Sequence, residues 1–177
     1  MKKKIITGFG ALILIATLTQ NSNAQKLSKK MSFGFGFEAG LPIGDLKNGY
    51  NFAGELTVRG SYHLGPGFIT LTAGSLVWVP KIIDEDHLNL GVHVPIKAGY
   101  KFIYKKHLFA MGEIGYNSFK TITVINGQPI SNSQSGLVFA PGIGFQNNAL
   151  EIGVRYEMFP LKMATGSMLA FRLGFNF

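Results

Sequence analysis

From Leu169 to Phe177 the chain reads Leu-Ala-Phe-Arg-Leu-Gly-Phe-Asn-Phe, with large apolar and small or polar residues in strict alternation. A period of two puts Leu169, Phe171, Leu173, Phe175 and Phe177 on one face of a strand, and Ala170, Arg172, Gly174 and Asn176 on the other. The apolar face is too large and aromatic for an ordinary protein surface, so it must meet either a protein core or lipid.

Seven earlier segments share the pattern. The first sets Phe33, Phe35, Phe37, Ala39 and Leu41 against Gly34, Gly36, Glu38 and Gly40. The second sets Phe52, Leu56, Val58, Tyr62 and Leu64 against Ala53, Glu55, Thr57, Arg59, Ser61 and His63. The third, Phe68 to Val79, turns Ile69, Leu71, Ala73, Val77 and Val79 outward, but Leu76 and Trp78 on the opposite face leave its phase ambiguous. In the fourth, Val92, Val94, Ile96, Ala98, Tyr100 and Phe102 oppose His93, Pro95, Lys97, Gly99 and Lys101. Segments five to seven follow over Leu108 to Asn117, Leu137 to Gln146 and Leu150 to Met158. All eight are close to the roughly 9 to 11 residues that a tilted membrane strand requires. The outward faces hold no charge, and the inward faces hold ten charged residues.

The connectors alternate in length. Gly65-Pro66-Gly67, Tyr104 to His107 and Asn147-Asn148 are tight, whereas Pro42 to Tyr50, Pro80 to Gly91, Ser118 to Ser135 and Phe159 to Gly166 are long. Short periplasmic turns and longer extracellular loops produce this rhythm in a hairpin barrel. Aromatics gather near strand ends: Tyr62, Tyr100, Phe102, Phe145, Phe175 and Phe177 at one interface, and Phe52, Trp78, Tyr116, Tyr156 and Phe159 at the other. Pro95 and Pro141 fall inside strands, where each removes a ladder donor and predicts a bulge or a local break. The expected fold is an all-β, eight-stranded antiparallel up-and-down transmembrane β-barrel.

The N-terminus agrees with an envelope location. Lys2, Lys3 and Lys4 precede an apolar run from Ile5 to Leu18, and a polar stretch closes on Ser22-Asn23-Ala24. Residues 1–24 therefore read as a secretory signal peptide, leaving one barrel domain over 25–177. That mature chain has 14 Lys and Arg against 9 Asp and Glu, a net charge of +5, with the basic residues scattered, so no nucleic-acid partner is expected. There is no cysteine in the chain, which excludes disulfides and a lipid-modified cysteine anchor. No later apolar run approaches helical spanning length, and a closed barrel is the remaining way to pair every backbone group in lipid.

The stretches His93-Val94-Pro95-Ile96-Lys97-Ala98-Gly99-Tyr100, Ala140-Pro141-Gly142-Ile143-Gly144-Phe145 and Arg155-Tyr156-Glu157, with the Phe-terminated last strand, resemble the outer membrane protein beta-barrel domain family. Length and layout are similar to the small eight-stranded OmpA/OmpX-type barrels. The resemblance implies an integral barrel whose last strand is read by the barrel-assembly machinery through Phe171, Leu173, Phe175 and Phe177. It implies no assigned activity, and no peptidoglycan-binding domain is expected.

The inward charges are Glu38, Glu55, Glu113, Glu151 and Glu157 against Arg59, Lys97, Lys101, Arg155 and Arg172, five of each sign. An eight-stranded barrel is just wide enough for side chains to fill it, and buried ions need partners. A structural ion network is expected, and the hairpin register predicts a Lys97 to Glu113 pair across strands four and five.

Candidates for chemistry are few. Ser61 and His63 share the inward face of strand two, but a lumen-facing pair near a turn is poorly placed to reach a lipid carbonyl. Asp84, Glu85, Asp86 and His87 form an acidic loop cluster, better explained by solvation than as a metal site. His93 and His107 have no partner at ligand spacing, and Asn126-Gly127 reads as a hairpin tip. The expectation is a non-enzymatic, non-conducting, monomeric outer-membrane barrel without cofactor or metal. Its expected partners are membrane lipid, lipopolysaccharide, the assembly machinery and an extracellular partner met by the loops. The alternatives are a barrel enzyme acting on lipid A, a small gated pore and a periplasmic lipocalin-like binder.

Overall fold

The alternating segments form eight strands that close on themselves. The structure, a computed structural model, describes residues 30–81, 87–125, 128–147, 149–160 and 165–177. The strands are β1 (Met31–Gly44), β2 (Tyr50–Leu64), β3 (Gly67–Pro80), β4 (His87–Tyr104), β5 (Leu108–Ile125), β6 (Gln128–Gln146), β7 (Leu150–Pro160) and β8 (Thr165–Asn176). One helical turn, α1 (Leu46–Gly49), follows β1. Every strand pairs antiparallel with its chain neighbours, and β1 pairs with β8 from Gly34 opposite Asn176 to Gly44 opposite Gly166. Reciprocal backbone bonds between Phe33 and Phe177, at 3.0 and 2.9 Å, complete that seam. The three tight turns and the start of β1 and end of β8 share one end, here the turn end; the other is the loop end. The expected signal peptide over 1–24 lies outside the described residues.

The period of two becomes an inside and an outside. Leu56 is 64% exposed, Leu71 60% and Ile143 68%, whereas Glu38, Arg59, Lys97 and Glu157 are 2% exposed or less. The phase of β3 is now settled: Ile69, Leu71 and Val77 face out, and Leu76 and Trp78 are buried in the lumen. This corrects two expected members of the outer aromatic belt. Trp78 and Phe159 are buried, with ring centroids 6.2 Å apart, while Phe52, Tyr116 and Tyr156 are exposed. Trp78 stands opposite the inward-facing Ala53, so the pleat of β3 turns its indole into the lumen.

The long connector expected over Ser118 to Ser135 is instead mostly strand. β5 and β6 stay paired up to Ile125 opposite Gln128, and β4 follows β5 to His87 opposite Ile125. The β-branched run Thr121-Ile122-Thr123-Val124-Ile125 explains the extension, which the apolar alternation did not mark. The expected tip, Asn126-Gly127, lies outside the described residues. Among the described residues β3 pairs with β4 only as far as Trp78 opposite Gly91, and β6 pairs with β7 only as far as Phe139 opposite Met158. A three-stranded flap of β4, β5 and β6 therefore stands beyond the closed wall at the loop end.

Both strand prolines produce the break and neither produces a bulge. The β3 to β4 ladder lapses between the pairs Ala73 with Ile96 and Leu76 with His93, two residues on each side, so register is kept. The β6 to β7 ladder lapses likewise between Phe139 with Met158 and Gly142 with Arg155. On the opposite side each proline stays in register, Pro95 with Asn117 and Pro141 with Gly112. The missing N–H thus weakens one seam locally while the other holds the strand in place.

Two glycines of β5 offer a test of inside against outside. A Cβ at Gly115 would run into the Ile96 carbonyl oxygen of β4, whereas a Cβ at Gly112 would meet nothing within 4 Å. Gly115→Ala is expected to destabilise the barrel by about 1 to 3 kcal/mol and to shrink the fast-migrating band of unheated samples on a gel, with Gly112→Ala matching the parent.

Candidate functional site

The inward charges come from only six strands. β1 supplies Glu38; β2 supplies Glu55 and Arg59; β4 supplies Lys97 and Lys101; β5 supplies Glu113; β7 supplies Glu151, Arg155 and Glu157; β8 supplies Arg172. β3 and β6 contribute uncharged inward residues, among them Thr70, Thr72, Val138 and Ala140. All ten charged side chains are buried and all ten enter one set of contacts.

Arg155 is its hub. The register places Glu38 directly opposite Glu55 on adjacent strands, a like-charge pair that is unfavourable alone. Arg155 reaches across from β7 and puts Nη2 at 2.9 Å from Glu38 and 2.7 Å from Glu55. The same guanidinium stands 3.0 Å from Glu157 and 3.5 Å from Glu113. Arg172, opposite Glu38 on β8, contacts it at 2.7 Å, contacts Glu151 at 2.9 Å and donates to the Thr57 hydroxyl. Gly36 makes room here, since a Cβ at that position would occupy the Arg172 guanidinium.

Nearer the turn end, Glu151 gathers Arg59 at 2.6 Å and Lys101 at 2.8 Å in addition to Arg172. Arg59 also donates to Thr72 at 2.9 Å, and Thr72 donates to Glu113 at 2.7 Å. Lys101 closes the layer with a bond to Gln146 at 2.6 Å and with its ammonium 5.6 and 5.3 Å from the Phe68 and Phe109 ring centroids. Below it is a vestibule of about 240 Å³ at the mouth, lined in part by Ser32, Ser61, Lys101 and Gln146.

The expected Lys97 to Glu113 pair is not formed. Register does bring the two within one step, with Lys97 opposite Gly115 and Glu113 opposite Gly99. Lys97 instead bonds Glu157 across the lumen at 2.8 Å and lies 3.9 Å from Glu55, while Glu113 turns to Arg59 and Arg155. In so narrow a cylinder a long side chain reaches the far wall as easily as its neighbour, so cross-lumen pairs compete with cross-strand ones.

Sequence reasoning missed the loop-end half of the lumen. Leu76, Trp78, Phe119, Val138, Phe159, Met168 and Ala170 form a buried apolar cluster there with Leu46 of α1 and Ala53. His93 is buried against it, edge-on to Phe159 at 4.9 Å and to Phe119 at 5.8 Å. The signal was present in the off-phase Leu76 and Trp78 of the third segment. The lumen is thus an ionic layer toward the turns under an aromatic plug toward the loops.

The other candidates do not assemble into a reactive site. His63 is exposed at the end of β2 with its ring against Phe68 at 5.2 Å, and among the described residues no hydrogen bond joins it to Ser61. His107 stacks on Phe145 at 5.3 Å. Asp84, Glu85 and Asp86 lie outside the described residues, and His87 opens β4.

This arrangement has solved counterparts. The chain superposes on the crystal structure of Ail, the attachment invasion locus protein of Yersinia pestis, with a TM-score of 0.65 at 17% identity, covering 84% of this chain and 98% of that one. The fold is that of small outer-membrane barrels such as Ail. Neisserial surface protein A gives a TM-score of 0.61 at 8% identity, covering 83% of this chain and 97% of the other. The N-terminal β-barrel domain of Pseudomonas aeruginosa OprF gives 0.61 at 12%, covering 82% and 97%. No family model and no curated protein matches the sequence. Identities this low carry architecture alone.

The network has an unequal wiring that can be measured. Among the described residues, Arg155→Met leaves Glu55, directly opposite Glu38, with only Lys97 at 3.9 Å, while Glu38 keeps Arg172 and Glu157 keeps Lys97, and is expected to cost about 3 to 5 kcal/mol in urea unfolding from lipid vesicles. Lys101→Met leaves Glu151 with Arg59 and Arg172 and is expected to cost about 1 kcal/mol. Adding Glu55→Gln to Arg155→Met is expected to recover part of the larger loss.

Proposed function

We propose that this protein is an integral outer-membrane barrel, exported through residues 1–24, sealed by its own side chains, and presenting its loop end to the exterior for membrane integrity or surface interaction. The observation that carries the reading is the uncharged, apolar outside of a closed wall: a water-soluble barrel would expose polar groups where this one exposes Phe37, Leu56, Leu71 and Ile143. The turn end then faces the periplasm and the loop end the exterior.

Sealing follows from two layers in series. Ions would have to break a neutralised set of carboxylates and guanidiniums, then pass the packed rings of Trp78, Phe159 and His93. The flap of β4, β5 and β6 supports a surface role, since its outer edges carry unpaired strand backbone among the described residues. Ail itself has been determined in complex with the heparin analogue sucrose octasulfate and in a phospholipid bilayer nanodisc. By analogy, lipid and an anionic surface partner are proposed for this chain. The protein is further proposed to be a non-enzymatic monomer whose Phe171, Leu173, Phe175 and Phe177 serve the assembly machinery.

Three measurements test this. Unheated outer-membrane fractions are expected to migrate differently from boiled ones, and the purified protein in a planar bilayer is expected to give no sustained current; a stable open level would overturn the sealed reading. Variants Ser61→Ala, His63→Ala and His87→Ala are expected to leave lipid A species unchanged by mass spectrometry, and an altered species would restore the enzyme alternative.

A further inference from the structure

The lipid-facing wall has a trough across β5, β6 and β7 beside the β4 to β5 turn. Ala110 of β5, Gly144 of β6 and Gly153 of β7 line its floor, and these small residues leave a depression between larger neighbours. Register fixes those neighbours: Phe102 of β4 and Ile143 of β6 flank Ala110, and Val154 of β7 stands opposite Ile143. Val154 of β7 extends the far bank. The depression has a volume of about 630 Å³, within the range of small-molecule sites, and its lining is almost wholly apolar.

What lies at its foot selects an occupant. Tyr104 and Leu108 pair across the β4 to β5 turn, and the residues between them are Lys105, Lys106 and His107. Lys105 and Lys106 have φ of 46° and 67°, and the Lys105 ammonium stands 5.2 Å from the ring centroid of the outward-facing Tyr104. From Lys106 to Ala110 the chain advances by about 3.4 Å per residue, roughly 14 Å, so an acyl chain whose headgroup meets the turn reaches the trough. None of the three tight turns contains Asp or Glu. A second lipid-facing depression, about 390 Å³ over Gly60 and Ala73, stands by the Gly65-Pro66 turn, which has no basic residue.

We propose that this trough and the Lys105-Lys106 turn together form a binding site for one anionic glycerophospholipid of the periplasmic leaflet. One acyl chain lies over Ala110, Gly144 and Gly153, and the phosphate meets the two ammonium groups. The inference rests on the membrane reading proposed above. Juxtamembrane lysines attract anionic headgroups, and the trough adds apolar contact that a smooth barrel face does not offer.

The test inserts the full mature barrel into vesicles of phosphatidylethanolamine mixed with phosphatidylglycerol, extracts it in mild detergent, and weighs it by native mass spectrometry. One retained lipid per barrel is expected, enriched in phosphatidylglycerol over its share of the vesicle by about fivefold for each lysine engaged. Lys105→Asn/Lys106→Asn, chosen because Asn tolerates positive φ, is expected to keep the lipid and lose the enrichment. Ala110→Phe fills the trough from its floor and is expected to abolish retention; Val154→Trp does the same from the far bank and serves if the first variant does not fold. Retained lipid that mirrors the vesicle composition, or that survives both filling variants, would overturn the site while leaving the membrane barrel intact. Failure of the parent to insert at all would overturn both, and the heat-shift gel separates the two cases.

Discussion

Charge neutrality inside a cylinder too narrow for bulk water is the constraint on which the rest of this structure depends. On the proposed membrane reading each strand must alternate to form a wall with lipid outside, and the inner residues then face one another at short range. Ten of them are ionisable, and an unpaired charge among them would carry a desolvation cost of several kcal/mol. The five guanidinium and ammonium groups meet that demand unequally. Arg155 sits where the register forces Glu38 and Glu55 together, and its Nη2 alone lies within 3.0 Å of both carboxylates and of Glu157. Lysines occupy the simpler positions, Lys97 on Glu157 and Lys101 at the mouth.

Apolar packing would fill the same volume at lower electrostatic cost, so the polar lumen calls for a reason other than stability. A strand apolar on both faces reads as a continuous hydrophobic run, and on the proposed export route such runs risk being retained as inner-membrane helices. Alternating Glu, Arg, Lys, Thr and Gly keeps every segment well below that hydropathy. Where the lumen does turn apolar, the run is short: Leu76-Val77-Trp78-Val79 is bounded by Ser75 and Pro80. The aromatic plug is therefore assembled from single inward residues of several strands, with Phe119, Phe159 and Met168 each flanked by a smaller or polar neighbour on at least one side.

The wall was legible because lipid is a uniform partner. Each outward residue answers to the same solvent, so phase can be chosen strand by strand without knowing the fold, and the membership of the lumen follows. Which lumen groups pair is a three-dimensional question. Lys97 prefers Glu157, sixty positions away, to Glu113, sixteen away, because cylinder width and strand register decide reach. The plug escaped notice for a related reason: Trp78 and Phe159 at strand ends look the same in sequence whether they serve an interface or a core. The flap escaped because beyond the bilayer both faces of a strand meet water, and the apolar alternation that marks the wall is no longer selected.

That flap is also where the logic of the barrel is abandoned on purpose. Closure removes strand edges, and edges are a liability for aggregation, yet β4 and β6 here run past their partners and expose them. The β6 edge beyond Phe139 is uncharged, with Ser131-Asn132-Ser133-Gln134-Ser135 at its centre and the exposed Leu137 next to the wall. The polar centre of this edge offers no hydrophobic surface to drive indiscriminate stacking and no lysine to repel an incoming strand. Its free backbone groups remain available for directional bonds to a partner that brings its own complementary edge. A protein whose other strands are sealed against exchange thus keeps one region of open valence, at the end that the proposed orientation turns outward, and any specificity the surface possesses has to be written there or in the connectors beside it.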